Sequence, residues 1–425
     1  MAVTKDAAPY LEAFRPDAGE PSWLAEARRK ALAAFGERGF PTRREEAWRF
    51  TNLRPLSETF FPPVRPGPAS AGARTPAGVP FPTYRLVFVN GVLQADAGAM
   101  PKGVWLGSLK NALALNRDWV RAAIDPSDVA GGQPLTALNA ALFADGFALS
   151  LDAGITLDRP IEIVHVADAD APVSIHARHV IVLAPGSSAT LIETHAGAGF
   201  YWTNQVTQVL LGEGTSLNYT HLQDESDKSL HLGTVRADLG KSSNFQHFSL
   251  TLGALLSRES VFVKLGESAK VNVSGAYLQR GDQDATHAVV IDHAAPGATT
   301  RELFKGVLDG RAHGAFLGTI RVREGAQQTD ARQTSRAILL SDRASVDTKP
   351  ELEILADDVK CAHGAAVGDL DKESLFYLRA RGIGEVEARR LLIEAFLLDA
   401  AESVEPPALR EYVASQVRRW LGGRR

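Results

Sequence analysis

The chain of 425 residues is long enough for about two or three domains with a large core, and its 45% hydrophobic and 23% charged residues are typical of a globular protein. The formal net charge of −4 argues against a protein dedicated to nucleic acid or anionic membranes, because both partners require a surplus of basic residues. The only cysteine, Cys361, excludes an internal disulfide framework and fits a reducing compartment.

The sequence has no apolar run near the roughly 20 residues that span a bilayer, and its first residues lack a hydrophobic signal core. Together with the single cysteine, these features predict a cytoplasmic protein.

Residues 1–82 form a predicted N-terminal helical region. Apolar residues between Trp23 and Phe35 recur at the spacing of an amphipathic helix. Thr42, with Glu45 three positions later, has the pattern of a capping box and predicts the start of another helix. The Pro- and Gly-rich stretch 62–82 has the composition of a linker or an ordered loop, and its role is open.

Residues 83–367 form a predicted β-rich core, with one helix expected between about 125 and 148. Similar Gly-Ser type turns begin at Gly186, Gly214, Gly240 and Gly266, and weaker echoes follow at positions 297 and 325. A period of this length is typical of stacked repeats, and β runs on both sides of each turn predict a β-solenoid. An ordinary β-sandwich is the alternative, because its turns also recur.

Residues 368–425 form a predicted C-terminal helical domain. Asp371 is a suitable N-cap and Gly382 a suitable residue just past the helix end. A second helix is expected after Gly384 and a third after Pro407. About 50 residues are marginal as an independent core, so this domain is expected to pack on the end of the solenoid, on a partner, or on both.

Cys361 and His363 are the most informative pair in the chain. Thiolate and imidazole are ligands that zinc, copper and iron–sulfur centres favour, and residues i and i+2 of a strand lie on the same face. Two ligands do not complete a site, so the other ligands would come from a second chain. The alternative is that Cys361 is a small packed hydrophobe and His363 is simply hydrogen-bonded.

Other chemical motifs are absent from the sequence or weak. There is no P-loop, no Gly-x-Gly-x-x-Gly after a strand, no His-Glu-x-x-His and no Gly-x-Ser-x-Gly. Most of the eleven histidines fall in β runs, where a structural role is expected. Asp282, Asp284 and Asp292 cluster near a predicted turn, which leaves open a carbohydrate-active enzyme built on a β-helix.

Three passages resemble the SufB/SufD family of iron–sulfur cluster assembly proteins. They are Arg44–Leu53 (Arg-Glu-Glu-Ala-Trp-Arg-Phe-Thr-Asn-Leu), Gly214–Tyr219 (Gly-Thr-Ser-Leu-Asn-Tyr) and the long segment Lys349–Ala365, which contains Val-Lys-Cys-Ala-His-Gly and is followed by Gly-Asp-Leu-Asp at 368–371. The resemblance covers essentially the whole chain. A single cysteine within Val-Lys-Cys-Ala-His-Gly looks like SufD rather than the cysteine-richer SufB.

This resemblance implies a right-handed parallel β-helix flanked by N- and C-terminal helices. It implies a non-catalytic scaffold that pairs with a SufB-like subunit through the β-helix and binds a SufC-like ATPase through the C-terminal helices. The apolar candidates for ATPase docking are Leu375, Leu378, Leu391, Leu392 and Phe396. It further implies a transient iron–sulfur cluster at the SufB interface, with His363 as a candidate ligand and Cys361 as either a ligand or an interface residue.

Several alternatives stay open at this point. The chain would be a purely structural subunit if Cys361 and His363 only pack the interface, and an enzyme if the aspartates act on a carbohydrate. The sequence contains no flavin motif, and it does not fix whether the isolated chain is a monomer or a homodimer.

Overall fold

The computed structural model describes residues 3–15, 19–64, 75–124 and 133–423. Strands dominate, and they form a parallel β-solenoid of about 8 turns with helices toward both termini. The predicted fold class is therefore confirmed. Within the described part, no helix is long and apolar enough to cross a membrane.

The strands and helices are numbered in chain order. The strands are β1 (Tyr84–Val89), β2 (Val92–Ala95), β3 (Val104–Ser108), β4 (Phe147–Leu151), β5 (Ile161–Leu183), β6 (Ser188–Leu211), β7 (Ser216–Asp224), β8 (Leu230–Leu239), β9 (Asn244–Thr251), β10 (Leu256–Leu265), β11 (Lys270–Gln279), β12 (Asp284–His293), β13 (Thr299–Leu308), β14 (His313–Val322), β15 (Thr329–Leu339), β16 (Ser345–Ile354) and β17 (Val359–Gly368). The helices are α1 (Ala8–Ala13), α2 (Ser22–Arg38), α3 (Arg54–Glu58), α4 (Leu109–Ala114), α5 (Asp118–Ala123), α6 (Pro134–Leu142), α7 (Lys372–Ala380), α8 (Glu385–Leu398) and α9 (Pro407–Leu421).

Two parallel series of strands build the solenoid. One series runs β8, β10, β12, β14 and β16, and the other runs β7, β9, β11, β13, β15 and β17. The long strands β5 and β6 pair with each other, and β6 continues into both series. Inward-facing Leu, Ile, Val and Phe side chains from successive coils stack into one continuous core.

The turns between coils repeat as predicted, but the residues that align from one turn to the next differ from the predicted ones. Strand register aligns Gly214 with Ser242 and Ser268, and these residues have φ of 65°, 54° and 55°. Gly240 and Gly266 lie two residues earlier, so the predicted alignment was wrong by two residues at these turns. Glycine is needed there because a Cβ at Gly240 or Gly266 would lie 2.8 or 2.6 Å from a carbonyl oxygen of the preceding coil.

The N-terminal region contains the predicted amphipathic helix as α2. The capping-box contact also forms, since the backbone N–H of Thr42 donates to Glu45 Oε1 at 3.0 Å. The prediction of a helix starting at Thr42 is wrong, because the chain makes only a 3-10 turn at Glu46–Trp48. Tertiary contacts override the local signal here.

The buried guanidinium of Arg258 holds this turn against the solenoid. It donates to Thr51 Oγ1 at 2.7 Å and to the carbonyl oxygen of Ala47 at 2.9 Å, and it lies 4.0 Å from the ring centroid of Trp48. Part of the family-like segment 44–53 is therefore a docking element for β10. A regular helix would carry the same groups away from Arg258.

Two predicted segments extend partly outside the described residues. Within the helix expected near 125–148, α6 occupies Pro134–Leu142, and residues 125–132 lie outside the described part. Of the stretch 62–82, residues 65–74 lie outside it. Beyond that gap the chain is held by the sheet, because the backbone N–H of Val79 donates to Glu162 Oε1 at 3.0 Å.

The C-terminal helices pack on the flank of the solenoid rather than on its end. Apolar residues of α8 and α9, including Ile393, Val413 and Trp420, join side chains of β7, β9, β11 and β13 in one cluster. Asp371 caps α7 through the N–H groups of Glu373 and Ser374, and Gly382 has φ of 88°, as the sequence predicted.

Candidate functional site

The two predicted ligand residues lie on β17, the last strand of the solenoid. β17 pairs with β15, and the register aligns Cys361 with Ala331 and His363 with Gln333. Ala331 and Gln333 are buried inside the solenoid. Because β-strand residues two apart share a face, Cys361 and His363 lie together on the inward-facing side of the final coil.

The final coil is open. Among the described residues, β16 pairs only with β14 and β17 pairs only with β15, so the outer edges of β16 and β17 have no strand partner. An inward-facing side chain on this coil has the core on one side and solvent on the other. Cys361 is consequently half-buried and His363 is exposed.

The thiol of Cys361 lies at the boundary of the core. Burial raises its pKa, a hydrogen bond with the backbone of Ala331 opposes the rise, and the nearby Asp330 carboxylate adds to it. The thiol is therefore protonated in the isolated chain at neutral pH. Binding of a cation is needed to convert it into a thiolate ligand.

A polar column continues beneath His363 into the solenoid. The register aligns His363 with Gln333 and Gln333 with Glu302, and Gln333 Nε2 donates to Glu302 Oε2 at 3.1 Å. Gly318 provides room for Gln333, because a Cβ at this position would overlap its amide. Burial raises the pKa of Glu302 to about 8, so this carboxyl group is mostly protonated at neutral pH. The sequence does not point to Gln333 and Glu302, because no local motif connects residues that lie one coil apart.

A second candidate surface lies on the C-terminal helices. Every residue of α7 retains solvent exposure, and Phe376 and Tyr377 are 74% and 57% exposed. Leu391 of α8 is also exposed, at 40%. Together with Leu392, α7 lines a groove of about 850 Å³.

The other four predicted docking residues divide into two groups on these helices. Leu375 and Leu378 are half-buried on α7, whereas Leu392 and Phe396 on α8 pack against the flanking core cluster. The sequence does not single out Phe376 and Tyr377 as docking residues. That these aromatic side chains are exposed becomes evident only from the packing of α7.

The predicted aspartate cluster does not form a joint site. Asp282 accepts from Arg311 Nε at 2.6 Å and Asp292 from Arg323 Nε at 2.8 Å, while Asp284 lies 3.3 Å from His313 Nδ1. Each carboxylate is therefore paired separately with a cation or a histidine. This removes the observation on which the carbohydrate-active alternative depended.

Comparison with known proteins gives two matching family models. The model described as "SUF system FeS cluster assembly, SufBD core domain" matches residues 165–396, and the model of the SufBD protein N-terminal region matches residues 77–163. The first of these covers more than half of the chain.

Individual relatives agree with these models. An iron–sulfur cluster assembly SufBD family protein of Synechocystis is 29% identical over 92% of this chain and 90% of its own length. The SufD protein of Escherichia coli is 27% identical over 91% of this chain and 90% of its own length. The chloroplastic protein ABCI7 of Arabidopsis thaliana is 34% identical over 58% of this chain and 53% of its own length. By its fold and by these matches, the chain belongs to the SufB/SufD family of iron–sulfur cluster assembly proteins.

Proposed function

We propose that this chain is a non-catalytic scaffold subunit for iron–sulfur cluster assembly, working in the cytoplasm with a SufB-like subunit and a SufC-like ATPase. The observation that carries the proposal is the placement of Cys361 and His363 on the inward face of an uncovered final coil. Two adjacent soft ligands at an open strand edge make half of a site. Cluster iron usually takes four ligands, so a second chain must supply the remainder.

The edge of β17 supports pairing with the SufB-like subunit at this end. β16 carries Lys349, Pro350, Glu351 and Glu353, which are residues that protect an edge strand from further pairing. β17 has fewer such residues, because all of its residues except Lys360 and His363 are small and uncharged. An exposed edge of this kind accepts another strand, and such pairing would bring the partner's ligands to Cys361 and His363.

The exposed face of α7 and α8 supports docking of the SufC-like ATPase. Phe376, Tyr377 and Leu391 present apolar surface that the described part of the chain leaves exposed, beside the groove that Leu392 helps to line. Leu375 and Leu378 would support this surface from below, and Phe396 would fix α8 to the solenoid. The division into residues 1–82, 83–367 and 368–425 is part of the same proposal.

The cluster is the cargo of this assembly and is held only while the partners are together. α8 and α9 are packed on the solenoid flank, so force applied by the ATPase at α7 would move the solenoid as a rigid body. The open coil would then separate from its partner and admit iron and sulfur. Cys361 becomes a thiolate when the cation binds, and His363 supplies a neutral imidazole.

The test is anaerobic co-expression with the SufB-like and SufC-like subunits, comparing wild type with His363→Ala. Iron, acid-labile sulfide and visible absorbance are measured on the intact complex. We expect the variant complex to assemble at normal stoichiometry and to lose most of its cluster. Lys360→Ala is the matched control, because it lies on the same exposed strand but on the opposite face.

A normal cluster content in His363→Ala would contradict the ligand role. It would favour the purely structural alternative, in which this chain only completes the interface. Loss of the complex itself would instead assign His363 to pairing of the two solenoids.

A further inference from the structure

The solenoid interior holds a band of histidines and glutamates that the proposed function does not use. This interior band lies on strands β5 to β12, with Glu225 directly after β7, and is buried throughout. Its members are His165, His179, Glu193, His195, His221, Glu225, His231, His247, Glu259 and His287. Burying so many titratable groups is costly unless they are paired or bind an ion.

Glu193 is the best-satisfied carboxylate of the interior band. Its Oε1 lies 2.8 Å from His165 Nε2 and 3.4 Å from His179 Nε2, and the same carboxylate accepts from Gln205 and Tyr219. His179 Nδ1 accepts the backbone N–H of Phe147 at 3.0 Å, so the neutral ring carries its proton on Nε2, facing Glu193. A cation at this point would meet N–H hydrogens rather than lone pairs. Glu193 is therefore a hydrogen-bond hub and not a metal site.

The next group consists of His195, Glu225 and His231 and, unlike Glu193, is a candidate metal site. One ligand atom from each side chain lies within 4.8 Å of the others. His195 Nε2 lies 3.2 Å from Glu193 Oε1, so this nitrogen donates and the lone pair of the neutral ring is on Nδ1. A carboxylate behind a histidine is the usual second contact of a metal-binding imidazole, because it fixes the tautomer.

Both ring nitrogens of His231 lack a hydrogen-bond partner in the described part of the chain, although the ring is 2% exposed. Its Nδ1 lies 2.6 Å from Glu225 Oε2, but without the geometry of a hydrogen bond. A buried imidazole nitrogen without a partner is destabilising in a folded protein. A cation bound by this ring would supply the missing interaction.

A small cavity adjoins the group. It has a volume of about 10 Å³ and is lined by His165, His195, Thr203 and Glu225 together with apolar residues. This is about the space of one water molecule or one ion. Thr203 Oγ1 and Gln223 Nε2 each donate to Glu225 at 3.0 Å, which orients the carboxylate.

We propose that His195, Glu225 and His231 bind one first-row divalent cation of the Fe²⁺ or Zn²⁺ type inside the solenoid. Two imidazoles and one carboxylate are a ligand set that both ions accept, and the cavity leaves a coordination position for water. His195 lies on β6, Glu225 directly after β7 and His231 on β8, so the site is far along the solenoid from the pair on β17. It goes beyond the proposed scaffold function and needs no partner chain.

The experiment uses the full chain after prolonged dialysis against a chelator, with Co²⁺ as the spectroscopic probe and Zn²⁺ as competitor. Because the site is buried, each titration point is equilibrated overnight. We expect one equivalent to bind, with visible absorption bands and a higher melting temperature. Glu225→Gln and His231→Gln should each weaken binding at least 100-fold, while near-UV circular dichroism verifies folding.

Two controls locate the ion. Glu259→Gln removes the same charge from another carboxylate of the interior band and should bind Co²⁺ like wild type. The double variant Cys361→Ala/His363→Ala should also bind normally, which separates this site from the proposed cluster site. Absence of stoichiometric binding in wild type would overturn the proposal. So would binding that survives both Glu225→Gln and His231→Gln, or that is lost in either control.

Discussion

Glu302 is a buried carboxyl group in the polar column beneath His363, and its pKa has a consequence for stability. Burial raises this pKa from its usual 4.5 to about 8, and Gln333 is its hydrogen-bond donor. Below pH 4.5 the group is neutral in both the folded and the unfolded chain. As the pH rises toward 8, ionisation favours the unfolded chain, so stability is lost across this window.

We therefore predict that Glu302→Gln stabilises the protein in a pH-dependent way. The amide oxygen can still accept from Gln333, but the variant has no charge to bury. The gain in unfolding free energy over wild type should be near zero at pH 4.5 and reach roughly 3–5 kcal/mol at pH 8 and above. Denaturant unfolding of both proteins at several pH values measures the difference.

Glu267→Gln is the control for this prediction. Glu267 is an exposed partner of Lys241 at 2.9 Å, and its loss should change stability by less than about 1 kcal/mol at any pH. A benefit of Glu302→Gln that did not vary with pH would indicate better packing instead of avoided ionisation.

At the scale of single elements, α7 is the helix least supported by the rest of the chain. Phe376 and Tyr377 contribute little to the fold, because most of each side chain is in solvent. We predict that the double substitution Phe376→Ser/Tyr377→Ser changes the melting temperature by no more than about 2 °C. The same variant should bind the SufC-like ATPase at least tenfold more weakly, measured by calorimetry with the purified ATPase.

Leu355→Ser is the matched control for this surface. Leu355 is 64% exposed but follows β16 at the open coil, away from the C-terminal helices. It should leave ATPase affinity unchanged. Equal loss of affinity in both variants would contradict the prediction, because the loss would then not be specific to α7.

Elements governed by local rules were predictable, and elements governed by contacts between coils were not. Asp371 and Gly382 delimit α7 because capping depends on residues within one turn. The predicted alignment of the turns at Gly240 and Gly266 was wrong because a glycine can be needed for either of two reasons. One is a positive φ, the other is close approach to another coil, and the sequence does not distinguish them. Similarly, the capping box at Thr42 formed without a following helix, since Arg258 on a distant strand binds the backbone of Ala47.

At the scale of the whole molecule, the sequence located the candidate cluster residues but not their surroundings. The alternation of a strand was enough to place Cys361 and His363 on one face. Their position on an uncovered coil, above Gln333, depends on the number of coils and on strand register. The interior band escaped prediction for the same reason, because its histidines and glutamates are brought together by stacking across coils.

The proposed pairing with a SufB-like subunit depends on the open end of the solenoid. Every inner coil covers the one before it, whereas β17 leaves an inward-facing surface of small residues uncovered. Ala365 lies on that surface in register with buried Ser335. A charge that points inward at an edge strand is a device by which proteins prevent strand pairing.

Ala365→Lys should therefore block pairing of the open coil without unfolding the chain. Because the position is exposed, the melting temperature should stay within about 2 °C of wild type. Affinity for the SufB-like subunit, measured by analytical ultracentrifugation, should fall at least tenfold, and any homodimer of the isolated chain should dissociate by the same mechanism. Ala153→Lys adds the same charge at an exposed turn of the first coils and should have no effect on pairing. If Ala365→Lys paired normally, the SufB-like subunit would have to dock on the side of the solenoid, and Cys361 and His363 would then face solvent in the complex.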